Sequence, residues 1–109
     1  MYKIQGTTIT MTRGDTLRAD IQIKNRDRTI YTPSENDVIK FAVKQNYTDE
    51  EELITKYIRP DEMLLEIEPE DTESLPFGRY VYDIELTTED GTVDTFISKA
   101  ILNICEEVG

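Results

Sequence analysis

Apolar and polar residues alternate along most of this chain, and a period of two marks half-buried strands rather than helices. From Thr16 to Lys24, Leu17, Ala19, Ile21 and Ile23 share one parity, while Thr16, Arg18, Asp20, Gln22 and Lys24 take the other. Ile39, Phe41 and Val43 alternate with Lys40, Ala42 and Lys44, and Met63, Leu65 and Ile67 with Leu64, Glu66 and Glu68. The clearest run sets Tyr80, Tyr82, Ile84 and Leu86 against Val81, Asp83, Glu85 and Thr87. Thr7 to Thr12 reads as a short first strand rich in β-branched residues, and Leu53 to Arg59 as a weaker strand. Thr92 to Ile104 is long enough for a final strand. Within it Phe96, Ala100, Leu102 and Ile104 share a parity that Ile97 and Ile101 do not, which predicts a bulge or a strand covered on both faces.

Turn chemistry punctuates these runs. Arg13-Gly14-Asp15 separates the first two strands, Asn25 to Arg28 and Thr32 to Asp37 flank a short extended piece at Ile30 and Tyr31, and Arg59-Pro60-Asp61-Glu62 makes a tight connection. Glu89-Asp90-Gly91 is a hairpin turn in which Gly91 is free to take positive φ. Only 69–75 hints at helix: Pro69 opens a turn, with Glu70 and Asp71 favoured near its N-terminus. Short strands with frequent turns predict an all-β, antiparallel sandwich of about six to eight strands, with at most one short helical turn.

Composition narrows the chemistry. The 109 residues suit a single domain over 1–109, and they carry 12 Lys plus Arg, 23 Asp plus Glu and no His, a net charge of −11. Without His, the commonest general base and transition-metal ligand are both missing, so Ser34, Ser74 and Ser98 have no imidazole to activate them. The acids Glu66, Glu68, Glu70, Asp71 and Glu73 read as a solvated face, and Asp90-Gly91-Thr92-Val93-Asp94 lacks the alternating ligands of a calcium loop. No catalytic residue, cofactor or metal is assigned. Direct binding to nucleic acid or to an anionic membrane is not expected, because both require a cationic surface. Cys105 stands alone and reads as a small apolar residue at the end of the last strand. Met1 to Gly6 lacks the apolar stretch of a signal peptide, so the expectation is a chain made in the cytoplasm of its producing cell. Arg13-Gly14-Asp15 spells an adhesion tripeptide but reads first as a turn around Gly14.

The stretch from Asp71 to Ile84, with Leu75, Gly78 and then Tyr80-x-Tyr82 entering a strand, follows the way immunoglobulin-like sandwiches cross between sheets. One of the two tyrosines is expected to be a corner residue, its ring buried and its hydroxyl returned to backbone upstream. Thr12-Arg13-Gly14-Asp15-Thr16 opens a strand, Tyr31-Thr32-Pro33 precedes Asp37 to Lys44, and Leu75 to Ile84 follows. This order resembles small tail-associated proteins of phages and prophages of Gram-positive bacteria, and is similar to the immunoglobulin-like N-terminal domain of the baseplate upper protein family. Asn36 stands where that pattern has glycine.

The resemblance implies a non-enzymatic virion module of tail, baseplate or neck that docks other virion proteins and is open to homo-oligomer formation. Two surfaces are candidates for docking. Thr8, Ile9 and Thr10 lie in a short, Thr-rich first strand expected at a sheet edge, where unpaired backbone groups invite another chain. Asp49, Glu50, Glu51 and Glu52 form a charged loop. An alternative reading is an acidic inhibitor whose carboxylates imitate DNA phosphates toward a basic host protein. A lesser one is an adhesion or carbohydrate-binding module, for which Tyr2, Tyr31, Tyr47 and Tyr57 are scattered candidates without any Trp. Gly14, Tyr80, Tyr82 and Gly91 are read as structural.

Overall fold

The longest alternating runs become the middle of the protein. A computed structural model describes residues 2–25 and 27–106, and among these it contains ten strands and one short helix. The strands are β1 (Tyr2–Gln5), β2 (Thr8–Thr12), β3 (Leu17–Asp20), β4 (Ile23–Lys24), β5 (Ile30–Tyr31), β6 (Val38–Lys44), β7 (Ile54–Ile58), β8 (Leu64–Ile67), β9 (Gly78–Thr87) and β10 (Val93–Cys105). The helix α1 (Pro69–Glu73) lies where Pro69 and the following acids place it, and Asp71 accepts the Glu68 backbone N–H at 2.7 Å in a capping box. No helix of the described residues is long and apolar enough to cross a membrane.

A six-stranded sheet runs in the order β1-β2-β10-β9-β6-β7, with separate two-stranded ladders β3–β8 and β4–β5. Two findings depart from the expected pattern. The strands number ten rather than six to eight, because β1 adds to the expected runs, the run from Thr16 to Lys24 divides into β3 and β4, and the extended piece at Ile30 and Tyr31 pairs as β5. The Ile21 N–H still follows the β3–β8 register, donating to the Met63 carbonyl at 2.8 Å, and beyond it Ile23–Lys24 pairs with Ile30–Tyr31. Nor is the pairing wholly antiparallel: β2 and β10 run parallel, Ile9 opposite Leu102 and Met11 opposite Ile104.

The predicted parities set the core. Ile39, Phe41 and Val43 of β6 and Tyr80, Tyr82, Ile84 and Leu86 of β9 are buried. They join Leu17, Leu65 and Ile67 from the small ladder, and Leu102 and Ile104 from β10, in one hydrophobic cluster. The parity switch in the last strand is a bulge: its register with β9 shifts between Thr95 and Ile97 and again between Ile97 and Ala100. Lys99 takes positive φ there, and its N–H donates to Asp83 Oδ1 at 2.7 Å.

Turns close as their residues require. The Gly91 N–H reaches the Thr88 carbonyl at 2.9 Å with φ of 87° at Gly91, and the Asp90 carboxylate accepts the Thr92 N–H at 3.0 Å. Met63 and Glu62 both donate backbone N–H groups to the Arg59 carbonyl. The turn read over Asn25 to Arg28 includes position 26, which lies outside the described residues, as do positions 1 and 107–109.

Candidate functional site

The two tyrosines of β9 anchor opposite ends of the crossover. Tyr80 donates its hydroxyl to the Pro76 carbonyl at 2.6 Å, the expected corner bond to backbone upstream. Tyr82 instead donates to the Thr7 carbonyl, tying β9 to the turn between β1 and β2, while its ring packs 5.2 Å from that of Phe41. Burial pushes the Tyr82 phenol up to about 12, well above the ordinary 10.0. A raised native value favours the protonated phenol, so its stabilisation is intact below the unfolded value and is lost as pH rises through the folded one. Tyr82→Phe is therefore expected to cost about 1 kcal/mol in urea melts at pH 7, and less at pH 11. An equal cost at both pH values would contradict the burial assigned to this hydroxyl.

The Arg13-Gly14-Asp15 turn is bound into the same end of the molecule. Gly14 takes φ of 84° and donates its N–H to the buried Thr72 hydroxyl at 2.9 Å, while the Arg13 guanidinium sits 4.1 Å from the Phe77 ring centroid. Arg13 also donates to the Leu75 carbonyl at 3.4 Å. These bonds make the tripeptide a packing element between β2 and α1. Nothing in the chain pattern marked Thr72 as its partner, since one threonine in a polar helical turn looks solvated.

Sequence reasoning also missed a buried carboxylate. Asp37 is 5% exposed, and it accepts the Tyr31 hydroxyl at 2.6 Å, the Ser34 N–H at 3.0 Å and the Ser34 hydroxyl at 3.1 Å. Ser34 three residues ahead of Asp37 was the available signal for a side-chain-closed turn. The Tyr31 hydroxyl, the largest influence, holds the Asp37 carboxyl below its ordinary 3.8, and Asp37 in turn raises the Tyr31 phenol. A depressed native value contributes stability above the unfolded value, and that stability is lost as pH falls through the folded one. Asp37→Asn is expected to lower unfolding free energy at pH 7 by about 1–3 kcal/mol and to flatten its decline below pH ~4. An acid slope identical to that of the parent would place the pH sensitivity elsewhere.

The docking candidates require correction. Thr8, Ile9 and Thr10 are not on an edge: β2 pairs with β1 on one side and with β10 on the other, and Ile9 is buried. A single strand's composition does not reveal how many neighbours it has, and the four residues of β1 supply the one that was not expected. Edge positions in the large sheet fall to β1 and β7. The acidic loop is also divided. Asp49 accepts the Asn46 N–H at 3.1 Å, and Glu52 is held by Lys40 at 2.9 Å and by the Thr55 hydroxyl at 2.8 Å, while Glu50 and Glu51 are exposed. Lys40 and Thr55 together hold the Glu52 carboxyl below its usual range.

Other acids are engaged in the same local way. Asp71 binds Lys56 at 2.7 Å, Glu66 binds Arg18 at 3.3 Å, and the Thr88 hydroxyl and Thr92 N–H lower the Asp90 carboxyl. Among the described residues, no group of three or more His, Cys, Asp or Glu is arranged to hold a metal. Of the scattered tyrosines, Tyr31 is committed to Asp37, Tyr47 lies 4.4 Å under Lys99 Nζ, and Tyr57 is exposed on β7; the Tyr2 side chain lies outside the described set. Cys105 is exposed rather than packed.

Two shallow depressions flank β7. One of about 250 Å3 lies between β7 and β8, with Lys56, Ile58, Leu64 and Glu66 in its walls, and another of about 300 Å3 is lined by Val38, Tyr57 and Pro60. Val38 and Tyr57 are exposed on this side, at the β7 edge of the large sheet. Comparison with family models, curated proteins and solved structures finds no match for this chain.

Proposed function

We propose that this chain is a non-enzymatic structural module of a phage particle, a single immunoglobulin-like β-sandwich that docks against other virion proteins of tail, baseplate or neck. The observation that carries the reading is the Asp71-to-Ile84 crossover, in which Leu75 is buried and Tyr80 returns its hydroxyl to Pro76. Leu75 to Ile84 is one of the segments whose order carries the resemblance to the baseplate upper protein domain, with Thr12 to Thr16 and Tyr31 to Lys44 before it. The β3–β8 ladder packed against the core face of the six-stranded sheet supports a two-layered architecture.

The disposition of the acids supports docking over chemistry. Asp37, Glu52, Asp71 and Asp90 each bind groups of their own turns or neighbouring strands. Those four are held within the scaffold, whereas others such as Glu50, Glu51, Glu70 and Glu73 stay exposed; an acidic inhibitor would need such carboxylates gathered on one face.

The deciding experiment is quantitative mass spectrometry of particles purified from the producing strain. Peptides of this chain should persist at fixed stoichiometry to the capsid through high-salt washing and density banding. Abundant chain in the lysate, with none in washed particles, would overturn the assignment.

A further inference from the structure

A sheet that ends in an exposed strand must avoid joining the sheet of a second copy. The β7 edge pairs only with β6 in the six-stranded sheet. Its alternation is conspicuous at one point. Ile54 and Ile58 face the core and are buried, and Lys56, between them and of the same parity, stands opposite the fully buried Phe41. A lysine therefore occupies a core-facing position on an edge strand. It stays there because its stem covers apolar surface while its ammonium reaches the Asp71 carboxylate at 2.7 Å, with 29% of the Lys56 side chain still exposed.

We propose that Lys56 guards the β7 edge against a second copy of this chain, blocking the fusion of two six-stranded sheets through β7. The geometry gives the reason. Two copies joined by a two-fold axis would align β7 antiparallel with its counterpart, and a register centred on this five-residue strand sets Lys56 against the other copy's Lys56. Like charges directly opposite each other across a ladder repel. Sliding the register by two residues removes that clash but sets each Lys56 beside Ile54 or Ile58 of the other copy, closing off the solvent that still reaches its side chain. Without the charge, Ile54, residue 56 and Ile58 would form a continuous apolar row along an open edge, the kind that pairs readily.

The guard is the charge and not the Asp71 bridge, so variants separate the two. Lys56→Met keeps the length of the stem, Lys56→Gln keeps its polarity, and Lys56→Arg keeps the charge; Asp71→Asn removes the charged bridge while its amide oxygen can still accept the Glu68 N–H. Folding is checked by circular dichroism and association by light scattering after size exclusion, with amide hydrogen exchange at high and low protein concentration. Lys56→Met and Lys56→Gln should associate about tenfold or more strongly than the parent, with concentration-dependent protection of residues 54–58, while Lys56→Arg and Asp71→Asn match the parent. Folded Met and Gln variants that associate no more than the parent would overturn the proposal, as would association that leaves 54–58 unprotected. These outcomes hold whether or not the chain resides in a particle.

Discussion

Ile9→Pro is expected to leave no folded protein at 37 °C. The substitution removes a backbone donor from β2, which is bonded on both sides, and Ile9 itself is 3% exposed beneath the sheet. Proline in the middle of a sheet removes a ladder bond and leaves a buried partner unpaired at about 1–3 kcal/mol, and loss of most of a buried isoleucine adds about 2 kcal/mol. Their sum reaches the lower end of the stability of a small domain, roughly 5–15 kcal/mol. Circular dichroism should show no cooperative melt, and proton NMR should lack dispersed amides. A variant melting within a few degrees of the parent would mean that β2 does lie at an edge.

Phe41→Ala is expected to cost about 3–5 kcal/mol, which for a domain of this size lowers the melting temperature by roughly 15–30 °C. Phe41 is fully buried at the centre of β6, opposite Ile84 on one neighbour and Lys56 on the other, and its ring meets that of Tyr82. Truncation opens a cavity under the sheet beside the Tyr82 ring. Phe41→Leu should cost under about 1.5 kcal/mol, since it keeps most of the volume. Urea denaturation of the three proteins checks both values. A loss below about 1 kcal/mol for the alanine variant would show that this ring is not packed in the core.

The success and failure of sequence reading follow from what each signal encodes. The parities of β6, β8 and β9 were legible because burying one face imposes a period of two on side chains, and Tyr82, Ile84 and Leu65 lie where that period puts them. The bulge in β10 was legible for the same reason, since an extra residue shifts the parity and Ile97 records the shift. Neighbour relations were not. Thr8 to Thr10 look the same in an edge strand and an interior one, because pairing is made by backbone groups that every residue carries. The parallel β2–β10 contact lies in the same blind spot, as does the Gly14–Thr72 bond across 58 positions. Asp37 reads as a turn residue ahead of β6, and neither its burial nor the bond it accepts from the Tyr31 hydroxyl is written in the local pattern. Lys56 interrupts an otherwise apolar parity and so weakens the strand signal of β7, although that break is the feature that distinguishes the edge.

The parallel pairing of β2 with β10 also decides how the molecule bears tension. Pulling from upstream of β2 and downstream of β10 first peels β1 from β2, because those two form an antiparallel hairpin whose bonds open one after another. The load then reaches two strands that point the same way and are drawn along their length in opposite senses. There the four paired positions from Ile9–Leu102 to Thr12–Cys105 are sheared together, so no single bond can yield ahead of the others. The topology thus places a mechanical clamp between the first and last strands of the core, and a chain anchored at both ends would hold its shape until that clamp gives way.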